Sequence, residues 1–408
     1  MSEPIITIIS LNYAPEDTAI GLYSSQMAEY LVKQGWKVQV VCGFPYYPKW
    51  EIEAEYKNQP TYFKETINGV EVFRYKQFVP KNPTFKSRSL QIVDFTLGNL
   101  LNLNKIKKTD IVFSVIPFTS SAWLGNRLAR MRNAPHWIHI QDFEFDAAFE
   151  SGVSSGKKKG IVARSLFKLE SSILDSASIV STISNGMLSK LKTKHQGHQY
   201  LFPNWVDENF INPDTAKEHS FFNNEKFQVL YSGNIGAKQD WDLFIELVKK
   251  IENDSTIEFI VVGDGGMKTE LQNSISSLSN VLIYDPVPYA ELNDLLCGAN
   301  LHVLFQKNEV IDTVMPSKIL GMMCSRIPSL VTGNLKSEVA TVFSKSKGGV
   351  YLDGSSVDDA ITEIYRYKND ANLGNKAGLK ARNFVVNQFS SDKVLANFSQ
   401  KLAETIGR

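Results

Sequence analysis

Two glycine-rich segments in the second half of the chain each follow a run of apolar residues. Residues 231–240 read Tyr-Ser-Gly-Asn-Ile-Gly-Ala-Lys-Gln-Asp, and residues 261–266 read Val-Val-Gly-Asp-Gly-Gly. Glycines let a ligand approach the backbone closely, and the free N–H groups at a helix start attract phosphate. Lys238 adds a full positive charge to the first segment. We therefore expect a phosphate-binding turn; the alternative is a plain strand–helix turn with a solvated lysine.

A third segment, Met315-Pro316-Ser317-Lys318, precedes an apolar run and is typical of a helix start. Ser317 and Lys318 would lie among free N–H groups, which predicts a second anion site. Two anion sites fit a diphosphate better than a single phosphate. The first predicted strand is not followed by Gly-x-Gly-x-x-Gly, and the sequence has no Walker motif. A dinucleotide-dependent dehydrogenase and an NTPase are therefore disfavoured.

Carboxylates make up the candidate site of the first half. Residues 12–23, after the first apolar run, contain Glu16 and Asp17, and residues 139–146 read His-Ile-Gln-Asp-Phe-Glu-Phe-Asp. Carboxylates after a strand can accept hydroxyl protons or bind sugar hydroxyls. For the first segment the alternative is a solvated acidic loop, and we expect His139 to be a hydrogen-bonded core residue. No His, Cys or Asp cluster has the spacing of metal ligands, so we expect no bound metal. The sequence has no Gly-x-Ser-x-Gly nucleophile elbow, so we do not expect a serine hydrolase of that type.

Short apolar runs that alternate with helical periods predict the fold that would position these residues. The fold class is α/β, with two Rossmann-like, doubly wound parallel sheets. The predicted domains are 1–204, 205–385 and a C-terminal helix, 386–408, that could cross back to the first domain. Two such sheets facing a cleft could each hold one substrate beyond their carboxyl strand ends, which is a layout for group transfer. The predicted strands are Ile5–Leu11, Val38–Cys42, Val70–Tyr75, Ile111–Val115, Trp137–Ile140, Ile179–Thr182, Phe227–Tyr231, Ile257–Val262, Val281–Tyr284, Leu301–Phe305 and Pro328–Val331.

The composition excludes several classes of protein. The 408 residues are 43% hydrophobic and 21% charged, as in soluble globular proteins, and the net charge of +1 gives no reason to expect a nucleic-acid binder. Three widely spaced cysteines indicate a reducing cytosol, and we expect no signal peptide and no spanning helix. Lys+Arg minus Asp+Glu is 24 − 17 = +7 over 1–204 and 20 − 26 = −6 over 205–408, which suggests different partners.

These motifs, in this order, resemble the retaining glycosyltransferases of family 4, which have the GT-B fold. Residues 12–16 (Asn-Tyr-Ala-Pro-Glu), 43–48 (Gly-Phe-Pro-Tyr-Tyr-Pro) and 141–144 (Gln-Asp-Phe-Glu) look like the fucosyl and N-acetylfucosaminyl transferases of bacterial exopolysaccharide and O-antigen synthesis. The resemblance implies that the C-terminal domain binds a nucleotide-sugar donor, with UDP favoured over GDP and no metal. The N-terminal domain would bind a lipid-linked saccharide acceptor, and the sugar would keep its anomeric configuration.

The resemblance also implies residue roles. The implied catalytic residues are Glu16, Asp142, Lys238 and Lys318, and the acceptor-binding ones are Tyr13, Glu16, Gln141 and Asp142. The donor-binding residues would be Gly21, Asn234, Gly236, Lys238, Gly263, Asp264, Gly265, Val287, Pro316, Ser317 and Lys318. Many members carry two glutamates eight positions apart, where this chain has Thr313 and Gly321; Asp312 or backbone could substitute for the first. A family histidine looks replaced by Gln141.

Two apolar stripes beside basic residues predict a peripheral position on the anionic inner face of the plasma membrane. Leu90, Val93, Leu97 and Leu100 follow Lys81, Lys86 and Arg88. Val162, Leu166, Leu169 and Ile173 follow Lys157, Lys158 and Lys159. The alternative is that both stripes bury against the sheet. Two other functions remain open from the sequence, a nucleotide-sugar 2-epimerase and a non-catalytic nucleotide-sugar-binding subunit.

Overall fold

The computed structural model describes residues 3–117, 119–144, 146, 159–223, 225–309 and 317–408. The chain divides into two compact units. Unit 1 comprises the residues up to Pro203 together with Leu395–Arg408, and unit 2 comprises Asn204–Val394. The last helix therefore begins in unit 2 and ends in unit 1. Both units are α/β with parallel sheets, which confirms the predicted fold class.

Unit 1 contains an eight-stranded sheet in the order β3-β4-β2-β1-β5-β6-β7-β8. Seven strands are parallel, and β3 pairs antiparallel with β4 at the edge. The central strands β5 and β6 are buried along their whole length, as expected for apolar runs covered on both faces. The strands are β1 (Ile5–Ile9), β2 (Lys37–Gly43), β3 (Tyr62–Ile67), β4 (Val70–Tyr75), β5 (Ile111–Ile116), β6 (His136–Ile140), β7 (Ile179–Thr182) and β8 (Gln199–Leu201).

The helices of unit 1 begin at residues that cap their free N–H groups. Thr84 and Ser87 form a capping box at the start of the longest one, and the Ser184 side chain accepts a hydrogen bond from Met187 N at 3.1 Å. These helices are α1 (Ala19–Lys33), α2 (Phe85–Lys105), α3 (Thr119–Arg132), α4 (Lys159–Asp175) and α5 (Asn185–Lys194), with a short 3₁₀ turn at Ala54–Tyr56.

Unit 2 contains a six-stranded, fully parallel sheet in the order β11-β10-β9-β12-β13-β14. The strand order reverses on the two sides of β9, so the switch point lies between β9 and β12; in unit 1 it lies between β1 and β5. Ligands of open α/β sheets bind beyond the carboxyl strand ends at such points. The strands are β9 (Phe227–Ser232), β10 (Ile257–Val262), β11 (Val281–Tyr284), β12 (Leu301–Phe305), β13 (Ser329–Thr332) and β14 (Gly349–Leu352).

The C-terminal segment differs from the single helix predicted over 386–408. The structure ends one helix at Phe389 and starts the next at Ser391, because Val206 pairs with the chain between them. Val206 N donates to Phe389 O at 2.9 Å, and Ser391 N donates to Val206 O at 2.8 Å. The helices after β9 are α6 (Trp241–Lys250), α7 (Lys268–Ile275), α8 (Leu292–Cys297), α9 (Ser317–Cys324), α10 (Glu338–Ser346), α11 (Val357–Asn369), α12 (Ala371–Phe389) and α13 (Ser391–Thr405).

Candidate functional site

The two glycine-rich segments of unit 2 form loops that interlock at the carboxyl ends of β9 and β10. A Cβ atom on Gly263 would lie 1.9 Å from the carbonyl oxygen of Gly233, and one on Gly265 would lie 2.4 Å from that of Ile235. Ile235 N donates to the carbonyl of Asp264 at 2.8 Å. The contact between the loops therefore requires Gly263 and Gly265, and it holds the first loop in one conformation.

Lys318 lies over the first of these loops. It is the second residue of α9, and its Nζ donates to the Tyr231 hydroxyl at 3.1 Å and lies 4.7 Å from the centre of the Tyr231 ring. The hydroxyl in turn donates to Asn234 O at 2.6 Å. Burial raises the pKa of the Tyr231 phenol, so it stays a neutral donor. The structure thus brings a lysine ammonium and a glycine loop together at the switch point between β9 and β12.

Lys238 and Gly236 lie on the same loop. Lys238 is exposed, and its carbonyl accepts a hydrogen bond from Lys307 N at 3.0 Å. The N–H of Gly236 donates to Gln239 Oε1 at 3.1 Å, so this amide already has a partner. A ligand phosphate would have to displace Gln239 to reach it. Lys238 is therefore an exposed cation on this loop, whereas the Gly236 amide already donates to Gln239.

The other candidate donor residues have diverse settings. Asn234, Asp264 and Ser317 are exposed, and Asp264 Oδ1 accepts a hydrogen bond from Gly265 N at 2.9 Å. Val287 is half-buried and packs against the core of unit 2. Gly21 belongs to α1 of unit 1. The remaining predictions in this group, Asp312, Thr313, Met315 and Pro316, lie outside the described residues.

Gly321 occupies the position where the resemblance places the second family glutamate. It lies in the middle of α9, and a Cβ atom built on it would have one close neighbour, Leu296 Cδ1 at 3.2 Å. Leu296 is a core side chain that is 4% exposed, and its methyl group would have to shift by a few tenths of an ångström. The backbone around Gly321 therefore leaves room for a side chain.

Glu16, in the loop after β1, is buried rather than solvated. The residue is 3% exposed, and Oε1 of its carboxylate accepts hydrogen bonds from Tyr46 N at 2.8 Å and Tyr47 N at 2.9 Å. Burial raises its pKa to about 7, against the lowering effect of the two backbone N–H groups. A Cβ atom on Gly21 would lie 2.7 Å from Glu16 Cβ. Glu16 therefore ties the loop after β1 to the loop after β2.

Arg74 reinforces the same connection, and the sequence analysis missed it. The residue is fully buried, and its guanidinium donates to Gly43 O at 3.0 Å and to Ala14 O, while it forms an ion pair with Glu65. Its only sequence signal is a charge within the apolar run 70–75. Tyr13, predicted to bind the acceptor, is 1% exposed, and its ring is buried in unit 1. Its contact with an acceptor stays a prediction.

His139 is the hydrogen-bonded core residue that the sequence indicated. Burial lowers its pKa to about 3, so the ring is neutral near pH 7. Its Nδ1 lies 2.9 Å from Ser181 Oγ, and its Nε2 lies 3.0 Å from Gln141 Nε2. Because Gln141 Nε2 is a donor, Nε2 of the histidine accepts and Nδ1 carries the proton. His139 thereby fixes the orientation of the Gln141 amide.

The three carboxylates after β6 have different environments. Glu144 Oε2 accepts a hydrogen bond from Thr119 N at 2.7 Å at the start of α3, and burial raises its pKa. Asp146 pairs with Lys190 at 2.9 Å and Lys194 at 2.8 Å. Both are thus engaged in contacts that hold unit 1 together. Asp142 is exposed, which makes it the member of this group best placed to meet a ligand.

A leucine-rich ridge runs along α2. Its members, Leu90, Val93, Leu97 and Leu101, are 53% to 62% exposed. The alternative that this stripe buries against the sheet is therefore wrong. One member differs from the prediction: Leu100 packs against the core of unit 1, and Leu101 is the exposed residue at this end of the ridge. No helix of the described residues is long and apolar enough to cross a membrane.

The second predicted stripe is only partly described. In α4, Leu169 is exposed and Ile173 is buried, so the stripe turns from solvent into unit 1 along the helix. Lys157 and Lys158 lie outside the described residues, as do the side chains of Lys159 and Val162. Within the described part of the chain, no group of three or more His, Cys, Asp or Glu side chains could hold a metal ion. Metal independence remains a prediction.

Comparison with known proteins assigns both halves of the chain. Residues 18–205 match the glycosyl transferase 4-like domain, and residues 213–384 match the glycosyl transferases group 1. A protein of Escherichia coli strain K12, WcaI, described as a candidate colanic acid biosynthesis glycosyl transferase, is 29% identical over 406 residues, which are 96% of this chain and 98% of WcaI.

Solved structures share the fold at low identity. Sucrose-phosphate synthase from Thermosynechococcus elongatus has a TM-score of 0.75 at 13% identity, with 98% of this chain and 99% of that chain covered. HepE of Anabaena in complex with UDP-glucose has a TM-score of 0.67 at 12% identity, with the same coverage. WaaG, a glycosyltransferase involved in lipopolysaccharide biosynthesis, has a TM-score of 0.66 at 12% identity, again with 98% and 99% covered.

Proposed function

Because the chain is a family 4 glycosyltransferase with the GT-B fold, we propose that it transfers a sugar from a UDP-sugar donor to a lipid-linked saccharide in bacterial surface polysaccharide synthesis. The sugar is of the fucose or N-acetylfucosamine type, and its anomeric configuration is retained. The name of the E. coli relative supports the pathway, and the UDP-glucose complex of HepE supports the donor class. The single observation that carries the proposal is Lys318 held over the glycine loop.

The donor diphosphate binds where Lys318 meets the loop after β9. As the bond between the anomeric carbon and the diphosphate oxygen breaks, negative charge develops on the leaving group. The ammonium of Lys318 and the N–H groups at the start of α9 stabilise that charge, because donors fixed in advance cost little reorganisation during the reaction. Lys238, which is exposed on the same loop, adds a second cation. No metal takes part in this scheme.

The acceptor hydroxyl attacks the anomeric carbon from the face that the diphosphate leaves. Its oxygen forms the new glycosidic bond, and its proton passes to the departing phosphate oxygen. Asp142 and Gln141 bind acceptor hydroxyls, and His139 keeps the Gln141 amide oriented. Glu16 acts in this scheme as a positioning residue, since its carboxylate already holds two backbone N–H groups.

The ridge on α2 docks on the inner face of the plasma membrane. Lys81, Lys86 and Arg88 are exposed at its amino-terminal end, and Lys107 and Lys108 are exposed just beyond its carboxyl-terminal end. An apolar ridge between basic residues matches an anionic lipid surface in both hydrophobicity and charge. Each basic residue near such a surface contributes roughly 1 kcal/mol, so five permit reversible docking without a spanning helix. The enzyme would thereby meet its lipid-linked acceptor.

A donor panel tests the proposal. The purified protein is incubated with radiolabelled UDP- and GDP-sugars and vesicles that contain lipid-linked saccharides, and the products are separated by mass. Transfer to lipid supports the proposal, whereas a new sugar nucleotide would indicate an epimerase, and tight donor binding without turnover would indicate a binding subunit. Lys318→Ala should lose turnover, and Lys336→Ala, at an exposed lysine of unit 2, serves as the control.

A further inference from the structure

The loop after β2 carries a cluster of aromatic side chains whose members differ in exposure. Phe44 and Tyr46 are buried, whereas Tyr47 is 37% exposed and Trp50 is half-buried. The rings of Tyr47 and Trp50 meet edge to face, with centroids 6.4 Å apart and planes at 77°. We call this exposed pair the aromatic corner. It lies beyond the carboxyl end of β2, which is the neighbour of β1 at the switch point of unit 1.

Several contacts fix the backbone beneath the aromatic corner. The buried carboxylate of Glu16 accepts the N–H groups of Tyr46 and Tyr47. The Gln77 amide binds both backbone groups of Phe44, accepting from its N–H at 2.7 Å and donating to its carbonyl at 2.9 Å. Burying the Glu16 carboxylate is unfavourable, as its raised pKa indicates. The fold therefore gives up some stability to hold this loop in one shape.

Trp50 itself has an unusual backbone. Its φ is +54°, in the left-handed region that bulky side chains rarely adopt because the backbone is strained there. One side of its ring packs against the core of unit 1, next to Tyr46 at a centroid distance of 5.5 Å. Relaxing this φ would change the direction in which the ring points. The strained residue therefore sets where the large aromatic surface stands.

Exposed aromatic rings of fixed orientation bind pyranose rings. One face of a sugar ring presents weakly polarised C–H groups, which suit the negative face of an aromatic ring, while the hydroxyls at the rim stay free for hydrogen bonds. Because the two rings meet at a near right angle, one ring can stack against a face of the sugar while the other contacts its edge. The Arg88 guanidinium lies over the Trp50 ring, 5.8 Å from its centre, so a sugar that stacks on this ring must displace Arg88 to the side, where its N–H groups can donate to sugar hydroxyls.

We propose that Tyr47 and Trp50 form the stacking platform for a sugar ring of the acceptor. The inference rests on the proposed function, because it takes the acceptor to be a saccharide. It assigns acceptor recognition to the loop after β2 of unit 1. The Arg88 contact also joins the platform to the start of α2, so the sugar would be held close to the residues that precede the ridge.

Kinetics with water-soluble acceptors test the platform. The probes are hexyl glycosides of mono- and disaccharides, selected by transfer with the wild type, and the variants are Trp50→Leu, Trp50→Phe and Tyr47→Leu. We expect Trp50→Leu to raise the acceptor KM about tenfold and Trp50→Phe to raise it less, because phenylalanine keeps an aromatic face. The donor KM and the slow hydrolysis of donor by water should stay unchanged. Trp123→Leu, at another partly exposed tryptophan of unit 1, is the matched control.

Glycan binding measured by isothermal titration calorimetry separates this inference from the proposed function, since it needs neither turnover nor the Trp50 ring as a reporter. If the wild type transfers sugar and Trp50→Leu keeps the wild-type acceptor KM, the platform is overturned and the function stands. If no transfer occurs but Trp50→Leu abolishes glycan binding, the function is overturned and the platform stands. An equal loss of donor hydrolysis would show a structural role, and a loss confined to vesicle binding would show a membrane contact. Either result overturns the platform.

Discussion

Replacing Glu16 by glutamine should make the stability of unit 1 less dependent on pH. Glu16 is almost fully buried, and its pKa is raised from 4.5 to about 7. Below pH 4.5 both the folded and the unfolded chain bind the proton, so the fold carries no buried charge there. As the pH rises through 7 the folded state must accept a buried carboxylate. The stability that is present below pH 4.5 is therefore lost between pH 4.5 and 7.

The size of the effect follows from the shift. One pKa unit corresponds to 1.36 kcal/mol, so a shift of about 2.5 units corresponds to about 3 kcal/mol. Glutamine has the shape of the neutral carboxyl group and keeps an oxygen for the N–H groups of Tyr46 and Tyr47. At pH 5 about 0.8 kcal/mol is already lost, so the melting temperature of Glu16→Gln should exceed that of the wild type by roughly 2–3 °C at pH 5 and by roughly 6–12 °C at pH 8 for a unit of this size.

Differential scanning calorimetry at pH 5, 6, 7 and 8 measures this difference. Asp17→Asn is the control, because it removes the same charge from the neighbouring exposed residue. Glu16→Ala should lower the melting temperature at every pH, since two N–H groups lose their acceptor. A difference between Glu16→Gln and the wild type that does not change with pH, or one that Asp17→Asn reproduces, would refute the reasoning.

Four further outcomes are expected. Lys318→Ala should lower the rate of transfer about 10²–10³-fold without lowering the melting temperature, by analogy with the loss of one oxyanion donor; near wild-type turnover would contradict the assignment. Gly321→Ala should stabilise α9 by about 0.5–1 kcal/mol. Gly321→Glu should bind UDP more tightly than Gly321→Ala in calorimetric titration, and equal affinities would show that the ribose does not contact this position. Val93→Ser combined with Leu97→Ser should reduce co-sedimentation with anionic vesicles, with Leu335→Ser of unit 2 as the control, and equal recovery would remove the docking surface. Transfer should persist in EDTA; a loss restored by Mn²⁺ or Mg²⁺ would show a metal requirement.

The sequence predicted most of the buried strands well, since short segments rich in apolar and β-branched residues between turn signals have few alternatives to a strand. Val70–Tyr75, Ile179–Thr182 and Ile257–Val262 have the predicted bounds. Strand β3 was missed because it lies half-exposed at the sheet edge and three of its six residues, Lys64, Glu65 and Thr66, are polar. The Asn68-Gly69 turn, in which both residues have positive φ, was the available signal for that hairpin. The break at Ser390 depends on pairing with Val206, which no local pattern reveals.

The candidate site was predictable in its position along the chain but not in its contacts. The glycine loops and Lys318 follow strand ends, and topology brings such segments together. Carboxylates look alike in a sequence, yet Glu144 caps a helix and Asp142 faces solvent. Arg74 was missed because its role arises from backbone carbonyls of two other loops. Burial and partners of polar groups are tertiary properties, so residue type alone does not assign them.

The interlocked glycine loops have a consequence for how this enzyme can evolve. The atom that excludes a side chain at Gly263 is the carbonyl oxygen of Gly233, which every replacement at 233 would also carry. No second-site substitution can therefore relieve Gly263→Ala by removing the obstacle. At Gly43 the obstacle is the Gln77 side chain, which a shorter residue would withdraw. Suppressor selections that start from Gly263→Ala should recover only revertants. Selections that start from Gly43→Ala should also recover second-site changes at Gln77. Neutral substitutions can therefore accumulate at position 43 but not at position 263.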